Sequence, residues 1–493
     1  MKKSTKYIFV VGGVISGVGK GITASSIGKI LQDRGLTITA IKIDPYVNVD
    51  AGTMNPTEHG EVFVLHDGDE TDQDMGNYER FLDIKLGRIN YMTTGRVYQS
   101  VIQKERNLEY GGKCVEVVPH VPLEVIDRIQ KAAQNARADV AIIEIGGTVG
   151  EYQNVLFLEA ARMMKIKQPK DVAFVMVSYL PIPSKVGEMK TKPTQYAVRT
   201  LNASGIQPDI IIARSQLSLD EKRKEKLALF CNVPAPHIIS APDVDSIYDV
   251  PLNFEKEGLG ETLCDIMSLV CRAPVKGHSQ EWKKFVSHVH NSHDEVRIAI
   301  VGKYFDTGDF TLSDSYLSVI EAIKYSAYAL KKKPVLTWLN ALDFEKNPKK
   351  VVELKKFDGI LVPGGFGARG IMGKLAVIKY AREKKIPYFG ICYGMQLMVI
   401  EHARARMRLK DASSREIDPA SKNLVIDLIP EQIEKLAKKQ YGNTMRLGDY
   451  TAHLKAGTHA FRAYGTSSII ERHRHRYEVN PEYVAEIEKS GLV

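Results

Sequence analysis

The stretch YIFVVGGVISGVGKGITASSIGKILQDRGLTITAIK, residues 7–42, decides the fold of the first part of this 493-residue chain. Tyr7–Val11 is an apolar run typical of a buried strand, and Gly12–Gly21 is a glycine-rich turn. Ile22–Asp33 is predicted to be a helix and Thr37–Lys42 a second strand. Strand, helix and strand in this order predict a βαβ unit, so the chain opens with an α/β fold.

Three further apolar runs repeat the buried-strand pattern: Val140–Glu144, Val172–Val177 and Ile210–Ala213. Helical or loop-like sequence separates them, which predicts a mostly parallel sheet covered on both faces. We therefore predict a P-loop-type α/β domain over residues 1–270.

A polar stretch with several histidines, residues 271–295, is predicted to be a linker. A second α/β domain is predicted over residues 296–493, with strands at Val296–Val301, Phe357–Val362 and Pro387–Ile391. Two domains also fit the chain length.

Composition limits the classes of function to consider. The net charge of +9 is spread over 68 basic and 59 acidic residues, which favours small phosphate-bearing partners over nucleic acid. The five cysteines form no CxxC pair, so we expect neither a disulfide framework nor structural zinc, and a reducing, cytoplasmic location. Neither a signal peptide nor a membrane-spanning segment is expected.

The glycine-rich turn is a candidate phosphate site. It follows a strand and begins a helix, so its backbone N–H groups are expected to converge on phosphate oxygens, with Lys20 as the cation. Lys42 ends the next strand and is expected to reach the same phosphates. The alternative is a plain glycine turn beside a surface lysine.

A metal site is expected from carboxylates outside this turn. Gly21 stands where a strict P-loop has the Ser or Thr that binds magnesium. Asp74 and Glu144 are the candidates, Glu144 because it ends a buried strand beside two glycines. For Asp74 the alternative is a solvated acid.

A second candidate site for a polyanion is the segment Lys190-Thr191-Lys192-Pro193-Thr194-Gln195. It gathers donors on a backbone that proline restricts. A solvent-exposed lysine-rich loop is the alternative.

Residues 387–396, PYFGICYGMQ, place Cys392 between a predicted strand and helix, with glycines on both sides. A thiol exposed at a helix N-terminus is expected to have a lowered pKa. The N–H groups of Tyr393 and Gly365 are expected to form an oxyanion hole. Cys392 is therefore a candidate nucleophile, whereas the other four cysteines fit inert core positions.

Together these motifs resemble those of the CTP synthase family along essentially the whole chain. The motifs are GGVISGVGKG (12–21), KIDPYVNVDAGTMNPTEHGEVFVLHDGDETDQDMGNYERF (42–81), EIGGTVG (144–150), GEMKTKPTQ (187–195), PGGFGARG (363–370), GICYGMQ (390–396) and ERHRHRYEVN (471–480).

The resemblance implies an amidoligase domain in which ATP phosphorylates O4 of UTP and ammonia then replaces the phosphate to give CTP. Lys20 and Lys42 are implied as catalytic residues on the transferring phosphate, and Asp74 and Glu144 as ligands of Mg2+. The implied ATP-binding residues are Gly17, Val18, Gly19, Lys20, Gly21, Ile22, Asp74, Asp243 and Val244. The implied UTP- and CTP-binding residues are Ser16, Glu151, Tyr152, Gln153, Lys190, Thr191, Lys192, Pro193, Thr194, Gln195 and Lys226.

The second domain resembles a class I glutamine amidotransferase, with a flavodoxin-like α/β fold. Cys392 is implied to attack the amide of glutamine, form a thioester and release ammonia into an internal passage to the ligase site. The implied glutamine-binding residues are Gly365, Tyr393, Gly394, Met395, Gln396, Glu416 and Arg476. The family also implies a homotetramer, filaments, GTP as allosteric activator and CTP as feedback inhibitor.

The sequence departs from the family pattern in three places. The family's cysteine works with a histidine and a glutamate in an HPE tripeptide downstream of ERHRHRYEVN, and none occurs here. This predicts either a C-terminally incomplete sequence or a chain that uses free ammonia. Residues 151–154, EYQN, replace the usual Asp-Ile-Glu-Ser, which bears on feedback by CTP. Tyr393 stands where leucine is commoner.

Two other functions compete with this interpretation. Another glutamine-fed amidoligase, such as a cobyrinic acid diamide synthase, is disfavoured by the KTKPTQ and DPYVNVD motifs. A noncatalytic filament or regulatory subunit is disfavoured by the intact set of ligase residues. Ammonia-dependent turnover of UTP would separate an enzyme from a scaffold.

Overall fold

The computed structural model describes residues 4–55, 59–185, 187–271, 278–302, 306–307, 310–311, 313–365, 367, 369–429, 432 and 445–493. The chain forms two compact units, Met1–Asp50 with Asp74–Val286, and Ala51–Gln73 with Ser287–Val493. The second unit thus includes a short early segment, residues 51–73. The domain boundaries predicted from the sequence, 1–270 and 296–493, remain a prediction.

Each of the eight strands predicted from apolar runs overlaps a strand of the structure. The strands are β1 Lys6–Gly13, β2 Ile38–Asp44, β3 Phe63–Val64, β4 Glu70–Thr71, β5 Tyr91–Thr93, β6 Val140–Ile145, β7 Val172–Tyr179, β8 Ile210–Ser215, β9 Ile238–Pro242, β10 Glu295–Gly302, β11 Asp306–Thr307, β12 Phe310–Thr311, β13 Lys333–Asn340, β14 Gly359–Val362, β15 Tyr388–Gly390, β16 Ser413–Ser414, β17 Leu424–Leu428, β18 Arg446–His453, β19 Ser468–His475 and β20 Tyr477–Val479.

Helices connect and cover these strands. They are α1 Lys20–Asp33, α2 Asp74–Leu82, α3 Thr94–Arg106, α4 Val117–Asn135, α5 Val155–Lys167, α6 Lys192–Ala203, α7 Glu221–Cys231, α8 Val250–Lys256, α9 Leu259–Ile266, α10 His278–Asn291, α11 Leu317–Ala329, α12 Ala341–Lys346, α13 Ile371–Lys384, α14 Tyr393–Arg406, α15 His459–Tyr464 and α16 Pro481–Lys489. None of the helices in the described residues has the length and hydropathy needed to cross a bilayer.

The first unit is built on a seven-stranded sheet with the order β5-β2-β6-β1-β7-β8-β9. Every neighbouring pair is parallel. Side chains on both faces of the sheet are buried, as consecutive residues of β1 show: Ile8, Phe9 and Val10 are all fully inaccessible. The predicted α/β class with a mostly parallel sheet is confirmed, and all carboxyl ends of these strands meet at one edge.

The second unit contains a parallel four-stranded sheet, β13-β10-β14-β15. Smaller antiparallel pieces accompany it, among them the hairpin β18-β19 and the hairpin β3-β4 from the early segment. The guanidinium of Arg472 donates to the carbonyl of Val64 at 3.1 Å, so the early segment is held against β19.

The stretch predicted to be a linker, residues 271–295, contains helix α10. Trp282 of this helix is buried, and its Nε1 donates to the carbonyl of Tyr248 at 3.0 Å. The sequence did not predict this helix because its many polar residues obscure the one-turn spacing of two buried residues, Trp282 and Val286. Residues 272–277 of this stretch lie outside the described residues.

The cysteines depart from the expectation of an entirely reduced set. Cys264 and Cys271 are joined by a disulfide, with Cα atoms 6.2 Å apart. Cys114, Cys231 and Cys392 are free thiols. Sequence spacing alone did not indicate the pair, because only the fold at the end of α9 brings the two residues together.

Candidate active sites

The glycine-rich turn carries the chain from β1 into α1. Gly17 and Gly19 have φ of 68° and 93°, a left-handed conformation that glycine adopts without steric cost. Helix α1 begins at Lys20, whose Nζ donates to the carbonyl of Gly147 at 2.9 Å. Burial lowers the pKa of Lys20. The turn therefore presents a helix N-terminus and a lysine together, which suits a phosphate group.

Lys42 and Glu144 face each other as register partners on the parallel strands β2 and β6. Nζ of Lys42 lies 3.0 Å from Oε1 of Glu144, and it also contacts the carboxylate of Asp74. Lys42 is 4% exposed and Glu144 is 1% exposed. Burial, assisted by the nearby charge of Asp74, raises the pKa of Glu144. The structure thus brings together the two predicted metal-binding carboxylates and one predicted catalytic lysine.

This carboxylate pair fits a magnesium ion that shares its coordination with phosphate. Mg2+ commonly takes one or two protein carboxylates and completes its shell with phosphate oxygens and water. Across the described residues, no group of three or more His, Cys, Asp or Glu side chains is arranged to hold a metal ion by itself. Asp74 and Glu144 would hold the ion together with the oxygens of a bound phosphate group.

Sequence analysis missed two residues of this cluster. The hydroxyl of Tyr78 donates to Oε2 of Glu144, and burial raises the pKa of Tyr78 well above its usual value. Tyr78 follows Asp74 by four residues on α2, so helical spacing was a usable signal. Asp44, two residues after Lys42, places Oδ1 3.5 Å from its Nζ.

The predicted polyanion segment leads into α6. Its two threonines, Thr191 and Thr194, are buried, and the hydroxyl of Ser178 at the end of β7 donates to that of Thr194 at 2.9 Å. Lys192 is exposed. Lys190 pairs with Glu188 at 2.6 Å. Thr194 therefore fixes the segment to the sheet, while Thr191 accepts from the side-chain amide of Gln195 at 3.1 Å. Pro193 and Gln195 are half-buried.

The remaining predicted nucleotide contacts include Ser16, which belongs to the glycine-rich turn itself. Ser16, Lys226 and Asp243 are exposed, and Val244 is half-buried. Asp243 accepts from the guanidinium of Arg214 at 2.9 Å. A Cβ on Gly19 would lie 3.8 Å from Nε of the same arginine, so Arg214 brings Asp243 near the glycine-rich turn.

The loop after β6 carries the residues that depart from the family pattern. Glu151 accepts from the backbone N–H of Thr148 at 2.9 Å and from the side-chain amide of Gln153 at 3.0 Å. Tyr152 between them is 94% exposed. Glu151 is thus turned into its own loop, while Tyr152 faces solvent.

Cys392 lies at a tight turn between β15 and α14, as predicted. Its φ is 50° and its ψ is −105°, a conformation rare for a residue with a side chain. Neighbouring glycines make the turn possible: a Cβ on Gly394 would lie 2.0 Å from the carbonyl oxygen of Val362. The turn therefore has the strained geometry of a nucleophile elbow.

The expectation of an exposed thiol with a lowered pKa is wrong. Cys392 is half-buried, with Sγ 3.8 Å from the carbonyl oxygen of Arg474. Burial raises the pKa of Cys392, and the backbone N–H of Tyr393 and the charge of Arg474 offset only part of this effect. Burial removes water from the sulfur, and this outweighs the position at the helix N-terminus.

The predicted glutamine-binding residues include the glycine loop and the start of α14, both next to the cysteine. A Cβ on Gly364 would lie 3.6 Å from Cβ of Cys392, which places the glycine loop beside the thiol. Glu416 accepts from the N–H of Gly367 at 2.8 Å. Buried Gln396 donates to the carbonyl of Tyr477 at 3.1 Å. Two further residues complete the set: half-buried Met395, and Arg476, which donates to the side chain of Gln432 at 3.2 Å.

An ion pair beside the thiol was also missed. Nε of Arg474 lies 2.8 Å from Oε1 of Glu70, and Nη2 donates to the carbonyl of Gly52 at 3.3 Å. Glu70 is 1% exposed. Sequence patterns could not find this pair, because it joins residues from opposite ends of the chain.

Comparisons with known proteins find similarity along both units of the chain. Residues 6–269 match the family model for the CTP synthase N-terminus, and residues 311–493 match that for class I glutamine amidotransferase. The chain is 50% identical to a CTP synthase from Methanosarcina barkeri over 489 residues, 99% of this chain and 89% of the relative. It is 51% identical to one from Pyrococcus abyssi over 492 residues, covering 99% and 88%. A solved glutaminase domain of Trypanosoma brucei CTPS with bound acivicin is 34% identical, covers 40% of this chain and 72% of its own, and has a TM-score of 0.36.

Proposed function

This chain belongs to the CTP synthase family, and from that premise we propose that it aminates UTP to CTP with ATP and with ammonia taken from glutamine. The observation that carries the proposal is the presence of two distinct sites in one chain. One is a phosphate-binding turn with lysines and carboxylates, and the other is a cysteine elbow beside a glycine loop. The enzyme is a glutamine-hydrolysing ligase of pyrimidine nucleotide biosynthesis.

The ligase reaction has two chemical steps. O4 of UTP attacks the γ-phosphorus of ATP, so that an O–P bond forms and ADP leaves. Ammonia then adds to C4 of the ring, and the C–O bond to phosphate breaks, which gives CTP and inorganic phosphate. Lys20 and Lys42 would stabilise the negative charge on the transferring phosphoryl group.

We assign the nucleotide contacts as follows. Residues 17–22 bind the phosphates of ATP, and Asp243 and Val244 lie at its adenine. Residues 190–195, Ser16 and Lys226 hold UTP, and residues 151–153 contact UTP or the inhibitor CTP. Exposed Lys192 supports this assignment, because an unburied lysine on a proline-fixed turn can reach a triphosphate.

Magnesium would be held by Asp74 and Glu144 together with ATP. Bound there, it would neutralise charge on the phosphate oxygens and so favour transfer. The raised pKa of Glu144 is consistent with a buried carboxylate whose natural partner is a cation.

In the second unit, Cys392 attacks the side-chain amide of glutamine. An S–C bond forms, the C–N bond breaks, and the proton lost by the thiol ends on the departing nitrogen, which leaves as ammonia. Water then hydrolyses the resulting thioester to glutamate. The N–H groups of Gly365 and Tyr393 stabilise the oxyanion. Gly394, Met395, Gln396, Glu416 and Arg476 shape the glutamine site.

Regulation and assembly complete the proposal. We expect GTP to activate glutamine use and CTP to inhibit, with a homotetramer as the active form, filaments as a higher assembly, and a cytoplasmic location. The resemblance to the family supports these points. Analytical ultracentrifugation with and without UTP and ATP tests the tetramer.

The decisive experiment is CTP formation from UTP, ATP and Mg2+, run in parallel with ammonium chloride and with glutamine plus GTP. Turnover with both nitrogen sources is expected. Turnover with ammonia alone would restrict the chain to an ammonia-dependent ligase. No turnover with either source, in a protein whose melting temperature still rises with UTP, would reject the synthase assignment in favour of a noncatalytic subunit.

A further inference from the structure

The glycine loop beside Cys392, residues 363–365 and 367, is called the oxyanion loop below. Two tyrosine hydroxyls hold it in place. The hydroxyl of Tyr316 donates to the carbonyl of Gly364 at 3.3 Å. The hydroxyl of Tyr393 donates to the carbonyl of Gly367 at 3.1 Å. Tyr316 is 7% exposed and Tyr393 is 2% exposed, so water does not readily replace either bond.

The first of these bonds controls the direction of a proposed oxyanion donor. The carbonyl of Gly364 and the N–H of Gly365 belong to one planar trans peptide group, so they point in opposite directions. Holding the Gly364 carbonyl toward Tyr316 therefore fixes where the Gly365 N–H points. Within the described part of the chain, that N–H donates no hydrogen bond, so it remains available for a ligand.

The second bond ties the loop to the elbow itself. Tyr393 directly follows Cys392, and its own N–H is the other proposed donor. Its ring lies under Nζ of Lys374, 5.2 Å from the ring centroid, and Lys374 is fully buried. Glu416 holds the N–H of Gly367, so the loop is fixed at the carbonyl and at the N–H of the same residue.

We propose that Tyr316 and Tyr393 are positioning residues for glutamine hydrolysis, whose hydroxyls keep the Gly365 and Tyr393 N–H groups aimed at one oxyanion. The inference rests on the proposed glutaminase function. A preorganised oxyanion donor contributes about a hundredfold to a thousandfold in rate. A hydroxyl that only orients such a donor contributes less, so loss of either hydroxyl is expected to slow oxyanion formation about threefold to tenfold.

The test compares two reagents on Cys392 in the full chain. A chloroketone analogue of glutamine is attacked at its carbonyl carbon, where an S–C bond forms and the oxygen becomes negative. The sulfur then bonds to the neighbouring methylene carbon, the first S–C bond and the C–Cl bond break, the ketone is restored and chloride leaves. Iodoacetamide loses iodide at a saturated carbon and forms no oxyanion. Tyr316→Phe and Tyr393→Phe each remove one hydroxyl. Tyr483→Phe, whose hydroxyl donates to Asn423 at 3.2 Å elsewhere in the same unit, is the matched control.

Labelling of the Cys392 peptide is followed by mass spectrometry. We expect the chloroketone reaction to be about threefold to tenfold slower in both test variants. The iodoacetamide rates should be unchanged, and Tyr483→Phe should react like wild type with both reagents. Equal slowing with both reagents, or no slowing with either, would overturn the inference. If glutamine fails to protect wild-type Cys392 from the chloroketone, the glutamine site itself is refuted and the inference with it.

Discussion

The carboxylate of Asp74 occupies the space where a side chain at Gly21 would lie. A Cβ on Gly21 would come within 2.2 Å of Oδ1 of Asp74. In a strict P-loop this position carries the hydroxyl that binds magnesium. Here the carboxylate of Asp74, from the next helix α2, lies where that hydroxyl would be. The absence of a side chain at Gly21 leaves room for this carboxylate.

Gly21→Ala is therefore expected to displace Asp74 rather than to harm the helix. Alanine has the higher helix propensity, so the melting temperature should not fall for that reason. Misplacing a group by about an ångström can cost up to a hundredfold in rate, so CTP formation should fall tenfold to about a hundredfold. The Mg2+ concentration for half-maximal rate should rise. Wild-type turnover at wild-type Mg2+ would show that Asp74 does not need this space.

Tyr78→Phe is expected to change the pH dependence of the ligase. The hydrogen bond from Tyr78 lowers the pKa of Glu144 and opposes the effect of burial. Without it, the pKa rises further, and Glu144 ionises only at higher pH. Because ionised Glu144 is the form that would hold Mg2+, the acid limb of the ammonia-dependent rate should move to higher pH.

The control for this change is Tyr98→Phe, a half-buried tyrosine in the same unit that lies outside the Glu144 cluster. Its profile should overlay that of wild type when CTP formation is measured across the acid range. Identical profiles for Tyr78→Phe and Tyr98→Phe would contradict a role for the Tyr78 hydroxyl.

The His473–His475 pair predicts acid sensitivity in the second unit. Nδ1 of His473 lies 2.8 Å from Nε2 of His475, whose Nδ1 lies 2.9 Å from the carbonyl oxygen of Tyr477. Burial lowers the pKa of both histidines below the usual 6.5. The unfolded chain therefore binds more protons near that pH, so stability is present above about 6.5 and is lost as the pH falls through the lowered values.

His475→Gln should remove part of this loss. The melting temperature of wild type should fall more between pH 7.5 and pH 5.5 than that of the variant. His453→Gln, an exposed histidine on the same hairpin, should behave like wild type. A wild-type curve with no acid-side decline would be at odds with neutral histidines in the fold.

Local sequence predicted the parts of this fold that depend on neighbouring residues. The apolar runs identified the central strands because a strand buried on both faces must be apolar throughout. The glycine pattern predicted the turn at Cys392, because only glycine fits where backbone approaches backbone. Local sequence did not predict the burial of the thiol, because the sulfur contacts Arg474 of β19, which follows much later in the chain. Nor did it predict that residues 51–73 join the second unit, where β3 and β4 contact β19.

The Glu70–Arg474 pair gives the sharpest test of that long-range association. Glu70 is almost fully buried and Arg474 is 22% exposed, so neutralising the acid leaves a poorly hydrated guanidinium. Glu70→Gln keeps the size of the side chain and should cost about 1–3 kcal/mol of unfolding free energy. The pair Arg446–Glu478, at 2.7 Å, offers the matched control, because Glu478 is 28% exposed where Glu70 is 1% exposed. Glu478→Gln should therefore cost less than about 1 kcal/mol. Equal losses in urea unfolding of the two variants would mean that the early segment is not stabilised through Arg474.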